Sequence, residues 1–434
     1  MQIQILTSQL TGRLRYVGHF LFEQQMGLRV EWMFCASDHP SGAWMNYTHH
    51  YYADAFNIKP HPILFETGIK PQAVKLCNIG STKAFFPTPA GADFPFDILA
   101  ATFYLLSRYE EYLPYASDQH GRFPATASLA YQHQFLDEPI IHHWIKAFQQ
   151  ALRKKFPFLK FQSKSAYFLP TYDIDMAFAY KGKSLYRQLA AIIRDLLQMR
   201  FSEIVLRWRV ITHQAKDPYD VYAWLEQLHM EQHIQAVYFF PVGKYARFDK
   251  QISVRHPIYR QLIATITSLH TSGIHFSYAS FLNEERMKWE LMRLSSITGF
   301  RVLHNRFHYL RFCLPDSYRM LVSTGIVHDY SMGYATHAGF RAGIADAYFW
   351  YDLQAEQETS LQIHPFCWMD TPFIQSKCTP EVYAQQLWMM WEKVRAADGV
   401  FMPVLHPHYF SEHPRFYGYR QAYLQVIRQI VQHQ

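Results

Sequence analysis

From residue 166 onward the chain alternates short apolar runs with longer segments of helical period, and that alternation most narrows the folds open to it. Two parallel strands need a crossover long enough to hold a helix, so apolar runs spaced by helical stretches read as parallel β/α units. The strand candidates are 166–172, 235–240, 273–276, 300–303, 325–328, 360–363 and 400–405. Helical patterns fill 184–198, 257–269, 283–296, 315–323 and 379–394, the last opened by Thr379 and Pro380, a cap followed by a first-turn residue. Seven such strands suggest a closed or nearly closed barrel, with an open doubly wound sheet as the alternative.

Residues 1–165 are less regular and read as a separate, smaller mixed α/β domain. A strand is expected over 29–35, before the turn-forming Ser37, Asp38, His39 and Pro40. The spacing over 97–111 predicts a helix capped by Asp97 that buries Leu99, Phe103 and Leu106. Arg108, Glu110 and Glu111 read as its solvated end, with a domain junction or a site as the other reading.

An apolar fraction of 49% against 18% charged residues describes an ordered globular protein. Cys35, Cys77, Cys313, Cys367 and Cys378 are scattered with no CxxC, which argues against a disulfide framework or a thiolate zinc site and fits a reducing compartment. Without a leader-like start or a run of about 18 apolar residues, a cytoplasmic location is expected. The net charge of +7 is spread along the chain, so no nucleic-acid partner is expected. The densest basic stretch, 194–209, interleaves Arg194, Arg200, Arg207 and Arg209 with Leu, Ile and Val. It reads as a helix with a solvated basic face or, alternatively, as a peripheral membrane contact.

Chemistry is expected where strands end, because β/α folds gather catalytic groups at strand carboxyl ends. The first strand delivers Asp173 and Asp175; later ends supply His275 with Ser277, Arg306 with His308, Asp329, His364 and His406. Carboxylates and imidazoles converging from different strands can hold a divalent metal, polarise a carbonyl and move protons. With 24 histidines in the chain, one at any single strand end means little; the set carries the signal.

At these residues the chain resembles the polysaccharide deacetylases, carbohydrate esterase family 4 with the NodB-homology fold, in a bacterial branch with an extra amino-terminal domain. The likeness runs from residues 103–111 through Tyr172-Asp173-Ile174-Asp175, His275-Phe276-Ser277-Tyr278-Ala279-Ser280 and His308-Tyr309-Leu310-Arg311. It continues through Asp329-Tyr330-Ser331-Met332-Gly333-Tyr334 and Gly339-Phe340-Arg341-Ala342-Gly343. It implies an α/β fold, a distorted (β/α)7 barrel of NodB type over 166–434 preceded by the domain 1–165. It also implies removal of acetyl groups from a glycan or glycan precursor by metal-activated water. Asp173 would be the base, Arg306 its orienting arginine, His406 the general acid, and Asp175 and His275 ligands of a divalent metal, with zinc expected. The family's second motif histidine falls on Ala279, so Ser277, Ser280, His308 or water would complete the shell, or the metal would be lost. The expected set is Asp175, His275 and His308, the last standing where the family has proline. Substrate contacts are expected from Tyr278, Asp329 and Tyr334. The alternative is a glycan-binding or regulatory protein that keeps the barrel without turnover.

Overall fold

The computed structural model describes residues 1–35 and 42–433, so the turn expected at 37–40 lies outside the described residues. The amino-terminal part holds a parallel sheet of β1 (Gln2–Thr7), β2 (Arg29–Met33), β3 (Trp44–Tyr47) and β4 (Phe56–Asn57) in the order β2-β1-β3-β4. The crossover from β1 to β2 contains the helix Gly12–Gly18, whose first turn is capped by the Thr11 hydroxyl accepting the Leu14 N–H. A hairpin, β5 (Leu76–Ile79) and β6 (Thr82–Phe85), follows.

The helix expected over 97–111 forms as Ile98–Leu106, with the Asp97 carboxylate accepting the Ala100 N–H and Leu99, Phe103 and Leu106 all buried. It ends earlier than expected because Arg108 takes a left-handed conformation at φ 52°. The solvated end expected there is also corrected: Arg108 and Glu111 are buried. Glu111 accepts from Arg108 Nε at 2.7 Å and from Arg341 Nη2 at 2.6 Å. A cation from far along the chain makes burial of these charges tolerable, which local pattern could not reveal.

The later part carries β7 (Tyr167–Phe168), β8 (Thr171–Asp173), β9 (Val237–Phe240), β10 (Thr271–Phe276), β11 (His304–Phe307), β12 (His328–Asp329), β13 (Tyr348–Asp352), β14 (Gln357–Ile363), β15 (Val400–Phe401) and β16 (Val404–Leu405). Eight of these form one sheet in the order β13-β14-β12-β11-β10-β9-β8-β16, parallel except for the antiparallel edge pair β13/β14. The runs 166–172 and 400–405 each break in two, giving the separate pair β7/β15, because Pro170 and Pro403 have no N–H to continue a ladder. A parallel bridge between Met369 and Val404 links the segment after β14 to β16.

The strand expected at 300–303 lies instead at His304–Phe307. Apolar residues there misled: Phe300 is exposed, while Asn305 and Arg306 are fully buried because Asp329 and Asp173 accept their side-chain N–H groups. The edge strand β13 had no counterpart among the expected strands. Helices flank the sheet at Leu185–Leu197, Pro257–Leu269, Glu284–Thr298, Asp316–Thr324 and Pro380–Ala396, near their expected positions, and Phe201–Ile211, Tyr222–Glu231 and Tyr419–Gln432 add to them. One apolar core runs across both parts of the chain, with Tyr16 and Phe103 packed on Tyr351 at ring separations of 5.0 and 5.3 Å. Among the described residues no helix is long and apolar enough to cross a membrane.

Candidate active site

Successive side chains of a strand face opposite ways, and β8 uses both faces. Tyr172 turns toward the flanking helices and bonds His229 and Tyr423, whereas Thr171 and Asp173 share the buried guanidinium of Arg306 from β11. Arg306 donates from Nη1 to Asp173 Oδ1 at 2.8 Å, from Nη2 to Thr171 Oγ1 at 2.8 Å and from Nε to the Tyr330 carbonyl at 2.9 Å. Three bonds leave the guanidinium one position, and one carboxylate oxygen of Asp173 is thereby held in place. The other, Oδ2, lies 3.7 Å from His275 Nε2.

Asp175, His275 and His308 bring one ligand-type atom each to within 4.8 Å of one another. A carbonyl can only accept, so the 2.8 Å bond from His275 Nδ1 to the Arg306 carbonyl places a proton on Nδ1 and turns Nε2 toward the pocket. That Nε2 faces Asp175 Oδ1 across 3.2 Å, and Oδ1 is buried with no hydrogen-bond donor. His308 is oriented the same way: Nδ1 bonds Asp249 Oδ1 at 2.9 Å and Nε2 faces Asp175 Oδ2 at 3.4 Å. Acceptors so crowded are stabilised either by a proton on an imidazole or by a cation among them, and imidazoles backed by a carbonyl and a carboxylate are a usual metal-ligand arrangement. The residues present therefore fit a divalent cation. For the proton, burial disfavours a charged His308, but Asp175 and Asp249 outweigh it and push its pKa up to about 10.

The expected candidates for the third ligand separate cleanly. Ser277 and Ser280 both donate to Glu290 Oε1, at 2.5 and 2.9 Å, and Ala279 is exposed, while His308 stands with Asp175 and His275. Glu290 lies on the helix Glu284–Thr298 and draws both hydroxyls toward itself.

His406, just after β16, approaches from the other side. Asp370 Oδ2 accepts its backbone N–H at 2.6 Å and Asp370 Oδ1 its Nδ1–H at 2.7 Å, leaving Nε2 3.5 Å from Asp175 Oδ2. Burial opposes protonation, yet Asp370 and Asp175 raise its pKa well above the ordinary imidazole value. These groups line a pocket of about 410 Å³ whose walls include Phe248, Tyr309, Met369 and Tyr409. His120 and Arg122, from the amino-terminal part, also reach it; Arg122 donates to the Tyr309 carbonyl at 2.6 Å.

Not every expected site residue comes to the pocket. Tyr278 stands behind its wall, its hydroxyl bonded to His120 at 3.1 Å and its ring 4.2 Å from Phe248. Asp329 is fully buried, both oxygens occupied by Asn305, Tyr318 and Ser331. The Tyr334 hydroxyl accepts from buried Arg108, and His364 stacks on Tyr330 at 4.4 Å. Asp249, Asp370, Thr171, His120 and Arg122 escaped the sequence reading. No local pattern marks them, since Asp370 lies 36 residues from His406 and Asp249 lies 59 from His308.

Residues 3–157 match a family of unknown function, DUF7033. No curated protein matches the chain. A solved structure of a putative polysaccharide deacetylase from Mycobacterium smegmatis is similar at 16% identity and a TM-score of 0.41, over 62% of this chain and 85% of that one. A probable polysaccharide deacetylase from Pseudomonas aeruginosa PAO1 is similar at 15% identity and a TM-score of 0.35, over 62% and 89%. The polysaccharide deacetylase Bc1974 from Bacillus cereus stands at 12% and 0.31, over 62% and 88%. Overlaps this shallow carry no weight for what the chain does.

Proposed function

We propose that the protein is a metal-dependent hydrolase that removes acetyl groups from a glycan or glycan precursor. The observation that carries this reading is the convergence of Asp175, His275 and His308 between a carboxylate gripped by arginine, Asp173–Arg306, and an imidazole gripped by carboxylate, His406–Asp370. Asp175, His275 and His308 would hold the cation, with zinc favoured by the imidazole and carboxylate donors, and it would supply Lewis acidity toward an acetyl carbonyl and its attacking water. Asp173, fixed by Arg306, accepts the proton of that water. His406, kept protonated by Asp370, donates a proton to the departing amine or alcohol. The aromatic walls at Phe248, Tyr309 and Tyr409 suit the apolar faces of sugar rings.

The same reading takes residues 166–434 as a distorted seven-unit β/α barrel, which the Met369–Val404 bridge supports, and 1–165 as a domain that lends His120 and Arg122 to the pocket rim. The scattered cysteines support a cytoplasmic setting. The test is metal analysis of purified protein together with acetate release from acetylated chito-oligosaccharides and acetylated xylan. Bound divalent metal and acetate release that Asp173→Asn abolishes would support the proposal. Protein that retains no metal and turns over neither substrate would overturn it, and tight metal with glycan binding but no acetate would point to the non-catalytic alternative.

A further inference from the structure

The helical hairpin that follows the Asp175 loop is built inside out. Its first helix, Leu185–Leu197, buries the carboxylate of Asp195 at 1% exposure, while Leu185 (75%), Leu189, Ile193 and Leu197 (81%) stand outside. A spacing of four sets these leucines and the isoleucine in one stripe. The second helix, Phe201–Ile211, repeats the pattern: Arg207 is buried and pairs with Asp195 at 2.9 Å, whereas Phe201, Val205 and Trp208 (66%) are exposed. A helix lying on a globular core normally points its apolar stripe inward. Apolar stripes facing outward over a buried ion pair mark a surface meant for contact.

The charges around the stripes have one sign. Asp195 is taken up by Arg194 and Arg207, and Glu203 accepts from the Tyr180 hydroxyl at 2.7 Å and pairs with His413 at 2.9 Å. Arg200 and Arg209 are exposed on the same hairpin. Next to its first helix a cleft of about 810 Å³ runs from Ser184 and Arg187 past Lys244, Arg255, Arg260 and Arg293. Among the described residues no acidic side chain lines it. Burial draws Arg187 and Arg293 below their ordinary range, and Arg255 adds to the fall at Arg293 against the pull of Glu290. The cleft thus gathers five cationic side chains with no carboxylate among its lining residues.

We propose that the hairpin and the adjoining cationic cleft dock the protein on an anionic lipid bilayer, with the apolar stripes in the headgroup boundary and the cations against lipid phosphates. Charge complementarity selects this occupant: a second copy on the same face would set arginine against arginine. The inference stands apart from the reading of the active site, since none of these residues touches Asp175, His275 or His308.

The test is co-sedimentation of the full chain with vesicles of phosphatidylcholine alone and with phosphatidylglycerol added. The wild type is expected to pellet with the anionic vesicles and to release as salt is raised. Leu189→Glu with Ile193→Glu should weaken binding more than tenfold, and Arg255→Glu with Arg260→Glu by roughly thirtyfold, from about 1 kcal/mol per basic residue at such a surface. All four positions are exposed, and far-UV circular dichroism and thermal melting check that the variants stay folded. Wild type that stays in the supernatant with anionic vesicles overturns the proposal, as do double variants that both pellet as well as the wild type. A stable dimer by analytical ultracentrifugation that Leu189→Glu dissociates, without vesicle binding, overturns it in favour of self-association.

Discussion

His275 and Arg306 hold each other in working order: Nδ1 of His275 donates to the Arg306 carbonyl at 2.8 Å, while the guanidinium of the same arginine grips Asp173 at 2.8 Å. Neighbours on paired strands β10 and β11, they tie the orientation of the His275 imidazole to the placement of the Asp173 carboxylate. In the proposed reaction, metal binding and proton transfer would share this one support.

Asp249 holds His308 from behind, so Asp249→Asn should weaken metal affinity by about 10- to 100-fold, and His308→Ala by more. Ser277→Ala and Ser280→Ala should leave it unchanged, because both hydroxyls serve Glu290. Titration against a chromophoric chelator reads all four; a serine variant as damaging as His308→Ala would refute this assignment of the third ligand.

Asp173→Asn should keep the metal and lose about 10²- to 10⁴-fold in acetate release, the usual range for a positioned base. Measuring metal content and turnover on the same preparation separates this from loss of the cation. Turnover that survives with metal in place would remove Asp173 from the base role.

Glu111→Gln should destabilise the fold by about 3–5 kcal/mol, because Arg108 and Arg341 would remain buried around a neutral amide. Urea unfolding reads this directly. A change below about 1 kcal/mol would mean the network relaxes to water.

His142 gives the fold an acid limit. Burial pulls its pKa down to about 4, against the opposing charge of Asp346, and its Nε2 accepts the Ala345 N–H at 3.2 Å. The unfolded imidazole takes a proton near 6.5, so this contribution is full above about pH 6.5 and is lost as pH falls through about 4. The loss is about 3 kcal/mol. Urea midpoints at pH 7 and 4.5 should differ less for His142→Gln than for the wild type; an equal difference would exclude His142 as a source of acid sensitivity.

Much of the site was legible in the chain. Asp173, Asp175, His275, Arg306, His308 and His406 each follow or end an apolar run, and all come together in the structure. Their orienting partners were not legible. Asp370 is 36 residues from His406 and Asp249 is 59 from His308, and nothing local ties either pair together. The resemblance implied Asp329 and Tyr334 as substrate contacts, yet Tyr318, Ser331 and Arg108 engage them in the interior. The hairpin at 185–211 shows the same division: the sequence carries its arginines and leucines in plain view, but only the structure decides which face is out.

Backbone propensity and hydrophobic period act over a few residues, so the alternation of strands and helices and the kinds of chemical group at the strand ends could be read from the chain alone. Tertiary structure alone decided that His308 rather than Ser277 or Ser280 stands beside Asp175, and that Glu111 is buried rather than solvated. Each of those outcomes depends on a charge delivered from a distant segment, Asp249 and Glu290 in one case and Arg341 in the other. Desolvation makes a buried polar group stable only where such a partner arrives.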